Sequence, residues 1–199
     1  MTPILVALGS NVGDRAEHVR SAIEILGSPL LRLSDFDNDQ LSRRRRGVGG
    51  EVEEATIHLE ILSISPLYRT APMYVTDQPE FLNGALFAET TLSPRALLKL
   101  LKDTEAEVGR LTRQQNGPRE IDLDLIAYGS AAYQFGDDHH TLLQIPHPKT
   151  AERRFVLQPL NDIAPDFLLP GIGVVRELLA QTESKAETVM PYEDAAISL

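Results

Sequence analysis

The stretch from Phe81 to Tyr128 constrains the fold more than any other part of the chain. Phe81 to Thr90 reads as a strand. Ser93 then offers an N-cap hydroxyl and Pro94 a favoured first helical residue. Leu97, Leu98, Leu101 and Val108 line one face of the helix that follows, which ends near Gly109. Residues 119–128 (REIDLDLIAY) return to strict alternation at their start and predict another strand. The N-terminal part has the same grammar. The apolar run at 4–8 is a short strand, and Asp14 with Glu17 makes a capping box ahead of Val19, Ala22, Ile23 and Leu26. Between the two halves, Ile57, Leu59 and Ile61 alternate with polar residues and lead to Tyr68, predicting one long strand. The order β-α-β-β-α-β is that of the split βαβ, ferredoxin-like arrangement, an α+β fold, with extra helices at the C-terminal end, one over 174–181.

Three segments carry no such period. Residues 28–54 hold Asp35, Asp37 and Asp39, then the run Arg43 to Arg46, then glycines and glutamates, and read as a solvated insertion. Residues 136–146 read as a polar loop and 183–199 as a polar tail, leaving a single domain over 1–182. The 199-residue length agrees with one domain. The chain has no cysteine, which excludes disulfides, thiol nucleophiles and cysteine-based zinc sites. No run of about 20 apolar residues occurs, so no membrane span is expected. The N-terminus reads as a first strand rather than a signal peptide, which makes a cytoplasmic protein the default. A net charge of −10 excludes a general nucleic-acid sleeve. It does not exclude a local phosphate pocket, because 15 of the 19 basic residues are arginine.

Asp122-Leu123-Asp124-Leu125 is the sharpest chemical feature. Residues two apart on a strand share a face, so the two carboxylates project side by side, roughly 7 Å apart at Cα. Such a pair repels unless a cation neutralises it, and hard oxygen ligands suit Mg²⁺. The bland alternative is the exposed polar face of a half-buried strand. Arginines weigh against it: Arg110, Arg113 and Arg119 occur between 109 and 119 with no acidic residue, and Lys149, Arg153 and Arg154 follow beside Ile145-Pro146-His147-Pro148. Carboxylates for metal amid guanidinium groups are what phosphoryl-type transfer requires. Phe81 and Asn83, two apart on a strand, could stack on and hydrogen-bond a flat heterocycle, or could serve core and edge polarity. Gly9-Ser10-Asn11-Val12-Gly13 lacks the ending of a P-loop and reads as a tight turn.

Together these motifs resemble the 6-hydroxymethyl-7,8-dihydropterin pyrophosphokinase family of folate biosynthesis. The carriers are Ala7-Leu8-Gly9-Ser10-Asn11, Tyr68-Arg69-Thr70-Ala71-Pro72, Asp77 through Asn83, Gly117-Pro118-Arg119 through Asp124, and Ile145-Pro146-His147-Pro148. The resemblance implies a three-layer α/β/α domain that transfers pyrophosphate from ATP to the pterin hydroxymethyl oxygen and releases AMP. It implies that Asp122 and Asp124 hold two Mg²⁺ ions, and that Arg110 and Arg119 act with them in catalysis. It places Lys102, Arg110, Arg119, His147 and Arg153 on ATP, and Glu105 near the active site. It places Thr70, Pro72, Met73, Phe81, Asn83 and Phe155 on the pterin, with Phe81 and Phe155 as stacking rings. The catalytic loops would be about 71–79 and 111–119.

The chain departs from some members at three points: Asn116 replaces a tryptophan, Phe81 lacks a tyrosine hydroxyl, and Leu142 replaces an arginine. No residue stands out as a strong general base, so in-line attack on the β-phosphorus, aided by metals and arginines, is the expected chemistry. The expected partners are the two small-molecule substrates, with no nucleic acid and no membrane, and the expected state is a monomer. The competing readings are a non-catalytic pterin- or nucleotide-binding module and a ligand-free interaction domain.

Overall fold

The computed structural model describes residues 1–28, 59–73, 76–111, 117–136, 141–183 and 188–193. The expected insertion, apart from Ser28, lies outside these residues, as do Asn116 and parts of both expected catalytic loops. The chain runs β1 (Thr2–Ser10), α1 (Arg15–Leu26), β2 (Leu59–Ile64), β3 (Tyr68–Thr70), β4 (Phe81–Thr90), α2 (Pro94–Val108), β5 (Asp122–Tyr128), β6 (Tyr133–Gly136) and β7 (Thr141–Ile145). It ends with α3 (Arg154–Ile163), β8 (Leu168–Leu169), β9 (Gly173–Val174), α4 (Val175–Gln181) and β10 (Val189–Pro191).

The main sheet has the order β10-β3-β4-β1-β5, with β2 also paired to β4. Its recorded pairings are antiparallel. That is the ferredoxin-like order, with the second strand of the motif divided into β2 and β3. The division falls at Ser65-Pro66-Leu67, where one long strand is expected from the sequence. The Ser65 hydroxyl takes the Ala85 N–H at 2.9 Å and donates to the Pro66 carbonyl at 2.7 Å. Proline cannot supply a ladder donor, so the strand breaks there and resumes at Tyr68.

Period-two alternation separates two cores. Ile4, Val6 and Leu8 of β1 face α1 and α2, together with Ile121, Leu123 and Leu125. Leu5 and Ala7 face the opposite way, with Ala85 and Ile126, onto α3 and α4. The result is three layers, helix–sheet–helix. Both caps read from the sequence form: Asp14 Oδ1 accepts the Glu17 N–H and Ser93 Oγ the Ala96 N–H. Gly109 ends α2 at φ 104°, a left-handed conformation that favours glycine. On α2 the fully inward positions are Leu97, Leu100, Leu101, Thr104 and Glu105; Leu98 and Val108 are only partly buried.

β1 and β5 carry one irregularity. Leu5 lies opposite Ala127 while Val6 lies opposite Leu125, so Ile126 is an extra residue in β5. The bulge leaves Ile126 and Ala127 both in the core beneath α3 and α4.

Two expectations give way to more order. Part of 136–146, read as a polar loop, is β7, which pairs with β6 in a hairpin. Arg95 at the start of α2 holds this hairpin through its guanidinium, 3.9 Å from the Phe135 ring centroid. Within 183–199, read as a polar tail, β10 pairs with β3, and the Tyr192 N–H bonds to the Leu67 carbonyl at 2.8 Å. The strand expected over 119–128 begins only at Asp122.

Candidate active site

A cavity of about 680 Å³ opens on the face of the sheet that also carries α3 and α4, at the ends of β1, β4 and β5. Arg110, Arg119, Asp122, Asp124, Lys102, His147 and Arg153 line it, as do Thr70, Met73, Phe81, Asn83 and Phe155. Of the site residues expected from the sequence, Pro72 is not on its wall; its neighbours Ala71 and Met73 are. Glu105 is also on the wall and is 3 % exposed.

The carboxylate side is built on the edge strand. Among the described residues β5 pairs only with β1, which leaves the outer N–H and C=O of Leu123 without a strand partner. α2 supplies both partners: Glu105 Oε1 accepts the Leu123 N–H at 2.7 Å and Lys102 Nζ donates to the Leu123 carbonyl at 3.3 Å. The same glutamate pairs with Lys102 Nζ at 2.6 Å and Arg110 at 2.5 Å. The residue between the two aspartates is thereby fixed, and with it the direction of both side chains.

Asp122 and Asp124 occupy different electrostatic environments. Asp122 Oδ1 accepts from Arg110 at 2.8 Å and Oδ2 from Arg119 at 2.5 Å. Burial alone would raise its pKa, but Arg119, Lys102 and Arg110 outweigh burial and hold it below the usual carboxylate range. The Asp124 carboxylate accepts no hydrogen bond from the described residues. Burial, and then the charge of Asp122, push it up to about 6 against the pull of Lys102 and Arg153. Among the described residues no three His, Cys, Asp or Glu side chains gather as a cation cage. Mg²⁺ usually takes one or two carboxylates and completes its shell with waters and substrate phosphates, so this two-carboxylate donor set fits it.

His147 is held at the head of the C-terminal part by its N–H, which donates to the Ile126 carbonyl at 3.1 Å. Burial, then Arg153, lower its pKa to about 4, so the ring is neutral at neutral pH. The Arg153 guanidinium lies 5.6 Å from the Phe155 ring centroid.

On the opposite wall, Asn83 is 6 % exposed and its Nδ2 donates to Thr70 Oγ1 at 2.7 Å. Phe81 and Asn83 fall on one face of β4, with Thr70 opposite Phe81 on β3. This wall offers rings, a carboxamide and a hydroxyl, which suit a flat, polar-edged heterocycle.

Asn11 belongs to a motif named from the sequence but is given no role there. It is 1 % exposed, and its backbone N–H donates to the Arg119 carbonyl at 3.1 Å while its Oδ1 accepts the Arg119 N–H at 2.8 Å. Its Nδ2 donates to Gln78 Oε1 at 3.1 Å and the Pro79 carbonyl at 3.3 Å. One carboxamide therefore joins segments on both walls. Local reading of Gly9 to Gly13 suggested only a turn; a polar residue directly after an apolar strand was the signal available.

Comparison with known proteins agrees with this architecture. Residues 40–165 match the family model described as 7,8-dihydro-6-hydroxymethylpterin-pyrophosphokinase (HPPK). The chain is 36% identical over 183 residues to the 2-amino-4-hydroxy-6-hydroxymethyldihydropteridine pyrophosphokinase of Methylorubrum extorquens, covering 92% of this chain and 95% of that protein. It is 35% identical over 165 residues to the folic acid synthesis protein fol1 of Schizosaccharomyces pombe, covering 83% of this chain. It is 37% identical over 160 residues to the mitochondrial folate synthesis bifunctional protein of Pisum sativum, covering 80% of this chain. The chain spans only 18% and 25% of the length of those two relatives. Wild-type Plasmodium falciparum HPPK-DHPS, solved with pteroate, superposes with a TM-score of 0.62 at 14% identity over 90% of this chain and 42% of that one, a likeness of fold alone. With the matched domain, the near full-length relative and the shared fold in agreement, the chain belongs to the 7,8-dihydro-6-hydroxymethylpterin-pyrophosphokinase (HPPK) family.

Proposed function

We propose that the chain transfers pyrophosphate from ATP to the hydroxymethyl oxygen of 6-hydroxymethyl-7,8-dihydropterin, a step of folate biosynthesis, and releases AMP. The observation that carries this reading is the division of one cavity into two chemistries. A carboxylate and arginine wall (Asp122, Asp124, Arg110, Arg119) faces a carboxamide and aromatic wall (Asn83, Thr70, Phe81).

In this reading the pterin lies against Asn83, Thr70 and Met73 between the rings of Phe81 and Phe155; Pro72, off the cavity wall, is left without a contact to it. Lys102, Arg110, Arg119, His147 and Arg153 bind the nucleotide and its phosphates. Asp122 and Asp124 would hold Mg²⁺, two ions by family resemblance; bound there, the metal supplies charge neutralisation for the polyphosphate. Arg110 and Arg119 orient the β-phosphate and stabilise the charge that develops on its oxygens. His147, uncharged, acts as a hydrogen-bonding group rather than as a further cation. The hydroxymethyl oxygen forms its bond to the β-phosphorus as the bond from that phosphorus to the α-phosphate oxygen breaks; the electron pair leaves with AMP, and the hydroxyl proton is released to solvent. Positioning by the two walls is the main contribution of the protein.

All the side chains used here come from one sheet, the helices packed on it and the segments that join them, which supports action as a monomer on two small molecules; the cytoplasm is the compartment we propose. The test is AMP formation from ATP, which should require both Mg²⁺ and the hydroxymethyl-dihydropterin. Asp122→Asn and Asp124→Asn should each lower turnover by about a hundredfold or more with the fold retained. Near-normal turnover in either variant would remove the metal assignment.

A further inference from the structure

Gly9 lies on the strand between the two walls. Its Cα partner on β4 is Asn83 and its partner on β5 is Asp122. The pterin-side carboxamide and the first carboxylate are therefore two strand spacings apart, about 10 Å, with Gly9 as the floor between them. Its backbone does not require glycine: among the described residues the positive-φ glycines are 13, 109, 129, 171 and 173. What requires it is a close approach. A Cβ at Gly9 would lie 3.0 Å from Asn83 Oδ1.

The Asn83 side chain has little freedom to yield. Its Nδ2 is committed to Thr70 Oγ1 at 2.7 Å, while its Oδ1 accepts no hydrogen bond from the described residues and belongs to the cavity wall. A carboxamide held by one end, almost wholly buried, with its acceptor toward a cavity, is set to meet a ligand N–H. A methyl group at Gly9 would press on that acceptor and turn the amide away from Thr70.

We propose that Gly9 is a positioning residue: its missing side chain is what seats the Asn83 carboxamide, and so sets selectivity for the pterin ring. The proposal rests on the assignment of this wall to the pterin. Gly9→Ala should weaken calorimetric binding of 6-hydroxymethyl-7,8-dihydropterin about tenfold, the loss of one well-aligned hydrogen bond, and raise its KM in parallel. The KM for ATP should stay within about twofold, since Asn83 Oδ1 is the one atom that a Cβ at Gly9 would approach within 4 Å. In an Asn83→Ala background the same substitution should cost less than about twofold, because its target is gone.

Unchanged pterin binding in Gly9→Ala, or an equal loss in both backgrounds, overturns the proposal. If Gly9→Ala alone fails to fold, the Gly9→Ala/Asn83→Ala double variant should recover soluble protein; failure of both to fold also overturns it. A wild-type chain that binds the pterin but forms no AMP counts against the proposed reaction, and leaves the binding comparison able to decide the role of Gly9.

Discussion

Glu105 on α2 accepts the backbone N–H of Leu123 at 2.7 Å, and Leu123 is the residue that separates Asp122 from Asp124. A buried helix side chain thus stands in for the missing neighbour of an edge strand. Its second oxygen pairs with Arg110, which in turn reaches Asp122. The free edge of the sheet and the orientation of Arg110, the arginine proposed to bind phosphate, depend on one carboxylate.

Glu105→Ala should therefore cost about 3 kcal/mol of stability, since it leaves Leu123 without its acceptor and Arg110 with one partner fewer. Glu105→Gln keeps an acceptor for Leu123 and should cost less, while still raising the KM for ATP. Urea denaturation and steady-state kinetics on both variants check this. A glutamine variant with wild-type ATP kinetics would leave the charge of Glu105 without a role in nucleotide binding.

Asp124 should titrate at about 6 in the metal-free protein, where burial and the Asp122 charge oppose its ionisation. Because its folded pKa lies above the ordinary 3.8, its contribution to stability is full below that value and is lost as pH rises through 6. Removing the neighbouring charge with Asp122→Asn should move the midpoint down. Carboxyl-carbon NMR titration reads both, and a wild-type midpoint at or below 3.8 would contradict the unequal pair.

Asn11→Ala removes one side chain that joins Arg119 to Gln78 and Pro79. The Arg119 N–H loses its acceptor, so stability should fall by about 1–3 kcal/mol. Because the segments lie on opposite walls, the KM values for ATP and for the pterin should rise together. A rise confined to one substrate would show that the two segments are not coupled through Asn11. Thermal unfolding and two-substrate kinetics supply the measurements.

The sequence made the local parts of this site legible. The D-L-D-L alternation put Asp122 and Asp124 on one face, and the Ser93 and Asp14 caps located the two helices that cover one face of the sheet. Relations between strands were harder to read. Neither the approach of Asn83 to Gly9 nor the span of Asn11 from Arg119 to Pro79 has a local signature, because each depends on register between segments about 70 to 110 positions apart. The β6–β7 hairpin was hidden for a different reason: its alternation, Tyr133 with Phe135 and Leu143 with Ile145, is too short to outweigh the polar residues between. Glu105 reached the site only through family resemblance, since a glutamate on the inner face of a helix looks like a pattern error until its three partners are seen.

The bulge at Ile126 decides which way the chemistry faces. Continued without it, the ladder that pairs Leu5 with Ala127 would set Leu123 opposite Gly9 and Leu125 opposite Ala7. Two leucines would then look into the cavity, and both aspartates would turn toward α1 and α2. Pairing this single extra residue within a regular ladder, rather than bulging it out, would thus invert the strand like a key cut on the wrong side, without changing any side chain of the proposed machinery; deleting it would leave Asp122 opposite Gly9 and Asp124 opposite Ala7. The three apolar residues Leu125-Ile126-Ala127, which interrupt an otherwise regular alternation, are the mark of that inversion in the sequence.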